Sequence, residues 1–141
     1  MANVVYNSFK RDVLNGTINL AADNIYVMLV TSTYVPDQDL HTKRSDITNE
    51  VSGTGYTAGG QALATKVVSV DNTGNRGFLD ADDSIWANST ITARAAVLYK
   101  NRGGLASADE LIGYVDFASD FISTNGNFTI NWAATGILEA L

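Results

Sequence analysis

The chain has 141 residues and a formal charge of −6, with 45% hydrophobic and only 17% charged residues. That length suits one domain whose core stands without staples, and the acidic balance argues against the phosphate backbone of nucleic acid as a partner. With no cysteine, disulfides and thiolate metal sites are excluded, and no apolar run approaches the ~20 residues of a membrane-spanning helix. The low charged fraction points to surface that is buried in an assembly. The opening stretch MANVVYNSFKRD lacks the apolar core of a signal peptide, so the expectation is synthesis in the cytoplasm.

Residues 4–14, VVYNSFKRDVL, read as a short amphipathic helix, with Val5, Phe9 and Val13 on one face. Asn15-Gly16 then stops it, glycine being free to turn left-handed. From residue 17 the period changes to two. TINL is a candidate short strand, and residues 24–32, NIYVMLVTS, form a stronger one. Its Ile25, Val27 and Leu29 point one way and Tyr26, Met28 and Val30 the other, so it needs cover on both faces, from the sheet core and from the N-terminal helix.

Residues 33–60 are long, polar and without clear period, apart from a possible helical turn at SDITNEV capped by Ser45 or Asp46. Strands return at 61–70, in RGFLDA, in SIWA, at 90–100 with small residues Ala93, Ala95 and Ala96, at 110–118, and at 126–133. In the last, Phe128, Ile130 and Trp132 alternate with Asn127, Thr129 and Asn131. TGILEAL closes the chain as a candidate edge strand. The expected fold is a single domain over residues 1–141, mostly β: an antiparallel β-sandwich of seven or eight strands with a short N-terminal helix and one long loop.

Few residues offer chemistry. Gly53 and Gly55 begin a dinucleotide-type spacing, but Ala58 breaks it and a strand follows where a helix is needed. A Walker loop needs Lys and Ser or Thr after its last glycine, where Gln61 and Ala62 stand. Asp37, Asp39 and His41 alternate and so share a face in extended backbone, a spacing able to hold a divalent ion; a solvated polar loop explains them better. The acidic run at 80–83 lacks the spacing of a calcium loop. His41 is the one histidine and has no nucleophile elbow beside it, while Glu50, Asp80 and Asp116 carry no pattern of paired acid and base. Asp116, on an otherwise apolar strand, reads as hydrogen-bonded at a strand end. No catalytic residue, cofactor site or metal site is assigned.

The run IYVMLVTSTYVPDQDLHTKRSDITNEVSGTGYTAGG, followed by ARAAVLYK, LIGYVDFASD and GNFTINWAATGIL, resembles a group of small virion proteins of tailed bacteriophages. The likeness spans almost the whole chain, and the group resembles capsid decoration, or cement, proteins and other head and tail accessory proteins. It implies a structural role in the virion, stabilising the capsid shell by multivalent contacts with the major capsid protein and with copies of the chain itself, and it implies no enzyme activity, nucleic acid or membrane partner. On this reading VSGTGYTAGG is a docking loop. Val51, Gly53, Gly55, Tyr56, Gly59 and Gly60 form the interface, Tyr56 as its anchor and the glycines letting the backbone lie close to a partner that orders the loop. A tail or head-tail connector component is the alternative within the virion. A surface carbohydrate-binding module using Tyr34, Tyr56 or Trp86, and a metal-dependent hydrolase built on Asp37, Asp39 and His41, are alternatives of other kinds.

Overall fold

In the computed structural model, which describes residues 3–140, Ile25–Val30 forms the strand that its β-branched and aromatic residues favour. In chain order the elements are β1 (Val4–Val5), α1 (Asn7–Leu14), β2 (Ile25–Val30), β3 (Gln61–Ala62), β4 (Val67–Asp71), β5 (Arg76–Asp80), β6 (Ser84–Lys100), β7 (Leu111–Ile130) and β8 (Leu138–Ala140). The fold is mostly β, with one short helix and two antiparallel sheets among the described residues. The five-stranded sheet has the order β1-β7-β6-β2-β3, and the three-stranded sheet β4-β5-β8.

The two faces of β2 fill two clusters. Ile25, Val27 and Leu29 pack with Trp86, Ile91, Leu98 and Ile112, and the small sheet adds Leu79 and Leu138 to this side. Met28 and Val30 pack with Tyr6, Tyr34, Val97 and Tyr99 on the other. Both faces are covered, as the pattern requires. The second cover, however, is the long segment after β2, through Tyr34 and Ile47, together with Tyr6 and not the helix. Ala93, Ala95 and Ala96 of β6 are fully buried, where small side chains let the layers close up.

The helix is shorter than expected. Val4 and Val5 pair with Tyr114 and Gly113 of β7, as two adjacent valines readily do. Tyr6 is extended and fully buried, and it sets the rotation of the turn that follows. As a result the buried face of α1 carries Ser8 and Asp12. Phe9 is half-buried against the core, while Val13 is 41% and Leu14 88% exposed, contrary to the apolar face read from the sequence. Gly16, at φ +79°, ends the helix as anticipated.

Three further expectations are corrected. TINL is not a strand, because the Asn19 side chain accepts from the N–H groups of Ala21 and Ala22 and turns the chain. Residues 61–70 divide between β3 and β4, in different sheets, with Thr65 at φ +53° between them. The short strands read at 84–87, 90–100, 110–118 and 126–133 merge into the two long strands β6 and β7. Their ribbon bends where asparagines take positive φ, Asn88 at +50° and Asn125 at +47°. It slips again at Arg94, the one β6 residue between the Ala93↔Phe121 and Ala95↔Asp116 pairs, opposite residues 117–120. The bending brings the Phe117 and Phe128 rings to 6.2 Å. A straight strand would hold them about 36 Å apart.

Candidate interaction surfaces

The segment expected to dock on a partner is laid on its own sheet. Val51 is buried, and its N–H donates to the Leu29 carbonyl at 3.0 Å. The Tyr56 hydroxyl accepts from the Leu29 N–H at 3.0 Å and donates to Glu50 Oε2 at 2.6 Å, so a side chain completes one rung of the β2 ladder. Glu50 Oε2 also accepts from the Gly59 N–H at 2.7 Å, and the Tyr99 hydroxyl donates to the Gly59 carbonyl at 2.6 Å. Burial and the Glu50 partner push the Tyr56 hydroxyl far above its ordinary value, which keeps it protonated and able to donate.

The glycines do permit close approach, but to this chain's own strands. A Cβ on Gly60 would run into the Val27 carbonyl, and one on Gly53 into the Thr90 carbonyl. Gly55 lies against Ser89, where a Cβ would stand 2.8 Å from its Cα. The expectation of a loop ordered only by a partner, with Tyr56 as its anchor, is therefore corrected. A half-buried ring beside Trp86, 6.2 Å between centroids, holds the loop to the core. Of the residues assigned to the interface, only Gly53 and Gly55 remain exposed.

The same segment is fixed at its other end by charge. The Arg44 Nε donates to Asp109 Oδ2 at 2.8 Å, and its guanidinium lies 5.1 Å from the centre of the Tyr99 ring. The Arg102 fork grips Glu110, with contacts of 2.7 and 3.0 Å. Burial raises the Glu110 carboxyl, but the Arg102 hydrogen bonds outweigh it and leave the group below its ordinary value. Backbone N–H groups of Thr42 and Lys43 hold the Asp46 carboxyl low. The helical turn read at SDITNEV does not form over that stretch: a single 3-10 turn, Arg44–Asp46, starts just before it, with Lys43 and neither Ser45 nor Asp46 at its N-cap.

Asp37, Asp39 and His41 are each engaged elsewhere. Asp37 Oδ1 accepts from the N–H groups of Asp39 and Leu40 at 3.0 Å, and Asp39 Oδ1 accepts from Asn7 at 2.7 Å. His41 Nδ1 accepts from the Asp37 N–H at 3.1 Å and lies 2.9 Å from the Tyr34 hydroxyl, which in turn meets Tyr6 at 2.8 Å. Among the described residues no three His, Asp or Glu side chains are grouped to hold a metal ion. Asp116 is hydrogen-bonded as expected, accepting from Arg94 at 3.2 Å and from the Ala118 N–H at 3.0 Å, but it lies inside β7 and not at a strand end. Of the aromatics considered for sugar stacking, Tyr34 and Trp86 are 2% and 5% exposed, and Tyr56 is half-buried, so none offers an open face.

No family model, curated protein or solved structure matches this chain.

Among the described residues, two apolar surfaces stand open. The bent outer half of β7 forms an open groove of about 530 Å³, lined by Phe117, Phe121, Ile122 and Phe128 with Asn127 and Asn131. Phe121 and Ile122 are 53% and 70% exposed there. The second is β4, an edge strand whose Val67, Val68 and Val70 are all about half exposed or more. Sequence reading missed both. The available signals were VVSV, which has apolar residues on both sides of a strand next to a turn, and Phe121-Ile122, an adjacent apolar pair in polar surroundings.

Proposed function

We propose that this chain is a structural virion protein of a tailed phage that decorates and stabilises the capsid shell through many modest subunit contacts. What supports the reading is the paired uncovered apolar surface, the β7 groove on one side and the β4 edge on another, on a body whose loop is already tied down. Soluble monomers seldom leave such surface open, and a shell protein that touches several neighbours has a use for it. The pre-ordered 33–60 segment fits the same role, since a rigid module loses less entropy on attachment. Its partners are the major capsid protein and further copies of itself. The role assigns it no catalytic step and places it in the virion.

A tail or connector position uses the same surfaces, and copy number separates the two. Quantitative mass spectrometry of purified virions of the encoding phage is the test. A decoration protein is present in many copies at a fixed ratio to the major capsid protein, set by the symmetry of the closed shell. A handful of copies per particle assigns it to the tail, and absence from the particle overturns the reading.

A further inference from the structure

The outer half of β7 is built around a costly bend. Between the Ala93↔Phe121 and Ala95↔Asp116 pairs, residues 117–120 bulge out opposite Arg94 alone, and Ala118 takes φ +68°, where an alanine is strained. Such bulges re-aim side chains. Here the result is a run of rings in contact. Phe121 meets Phe117 edge-on at 6.0 Å, Phe117 meets Phe128 at 6.2 Å, and Phe128 meets the buried Trp86 at 6.1 Å. Phe121 is thus half exposed while its ring is held from the core outward, so little ordering is needed before it takes a ligand.

The groove beside these rings is not purely apolar. Asn127, Thr129 and Asn131 also line it, and all three are exposed. Among the described residues none of these three side chains has a hydrogen-bond partner. At about 3.3 Å per residue their row spans about 13 Å. It offers amide, hydroxyl and amide, each able both to donate and to accept. Among the described residues no charged side chain lines the groove, although the chain carries −6.

We infer that this groove binds a neutral oligosaccharide. A pyranose has C–H groups on one face and hydroxyls around its edge, so the phenyl rings take the face and the polar row takes the hydroxyls. The groove is open, which suits a chain passing along it, whereas a small metabolite is normally enclosed over most of its surface. Two other occupants fit less well. An apolar side chain would cover Asn127, Thr129 and Asn131 without pairing them. A peptide that adds as a strand needs a straight edge, and β7 is interrupted at Ala118 and Asn125, both at positive φ, which leaves only residues 126–130.

The site goes beyond the assembly role and does not depend on it, since the β4 edge stays available for the shell. Its test needs no virion, so either idea can fail alone. The isotope-labelled full chain is titrated by NMR with cellotriose, maltotriose and the N-acetylglucosamine trimer, each to about 10 mM, and an array of neutral glycans widens the panel. At least one of these sugars is expected to shift the side-chain amides of Asn127 and Asn131 saturably. Phe121→Ala and Asn131→Ala should each weaken that binding at least about tenfold. Both residues are exposed, so the rest of the spectrum should keep its wild-type pattern. Leu14→Ala, on the helix, should bind as the wild type does. No glycan bound in either format overturns the inference, as does binding that survives both groove variants. Saturable shifts of the 126–130 backbone amides by an acetylated Val-Thr-Val-Thr-Val peptide, with no response to any sugar, would make the groove a strand-docking site and also overturn it.

Discussion

Replacing Tyr56 by Phe removes one oxygen and keeps the ring against Trp86. That oxygen accepts from the Leu29 N–H at 3.0 Å and donates to Glu50 at 2.6 Å. Leu29 is fully buried, so water cannot take over its N–H, and a buried donor left unpaired costs about 1–3 kcal/mol. Glu50 keeps its bond from the Gly59 N–H, so its loss is partial. The expected destabilisation is therefore about 1–3 kcal/mol for Tyr56→Phe. For Tyr56→Ala, which also removes the ring, it is about 3–5 kcal/mol. Urea unfolding at constant m-value measures both, and amide hydrogen exchange at Leu29 and Gly59 localises the effect. A Tyr56→Phe protein that unfolds at the wild-type midpoint, with the Leu29 amide equally protected, would refute the reasoning. A Tyr56→Ala protein of undiminished stability that fails only to assemble would return the residue to a partner interface.

Arg44→Ala strips a buried carboxylate, Asp109, of its guanidinium partner and should cost about 3–5 kcal/mol in denaturant unfolding, whereas a loss under 1 would show the pair to be incidental. On acidification, Asp46 is the group to follow. Its folded carboxyl is held below the unfolded value by the Thr42 and Lys43 N–H groups, so its contribution is complete above the unfolded value near 4 and is lost as pH falls through the lower, folded one. NMR shifts of Thr42 and Lys43 should move in that window, and invariance there contradicts the cap. At the alkaline end, burial pushes the Tyr34 and Tyr99 hydroxyls up to about 12, so their stabilisation is complete below 10 and drains away between 10 and 12; a melting temperature flat across that range would contradict their burial. On the helix, Phe9→Ala should cost about 1–3 kcal/mol for a half-buried ring and Leu14→Ala less than about 0.5, and equal effects would show that the helix is turned differently.

The readable parts of the fold were those where side-chain period and burial agree. β2 shows apolar residues on both faces and is buried on both, and Phe128 and Ile130 alternate inward as their strand predicts. The gaps left between separately read strands fall at Asn88 and just before residue 126 at Asn125, where positive φ bends the ribbon without ending its strands. The helix misled for a different reason. Its rotation is set by β1 pairing with β7 more than a hundred residues away, which no local pattern contains. Tyr56 illustrates the limit for the site. Glycine crowding correctly marked a place of close backbone approach, but whether the approach is to a partner or to the chain's own β2 depends on a hydroxyl meeting the Leu29 N–H across 27 positions. The β4 and β7 surfaces left a trace in VVSV and in Phe121-Ile122, but only the fold shows that nothing among the described residues covers those side chains, since exposure is a property of the surroundings.

The assembly role itself is tested most directly by an electron cryomicroscopy map of the purified virion at side-chain resolution. The account predicts density for this fold in repeated copies on the outside of the shell, with the β4 edge or the β7 groove of each copy buried against a neighbour. Density for the fold confined to the tail, or copies on the shell with both surfaces left open to solvent, would contradict it.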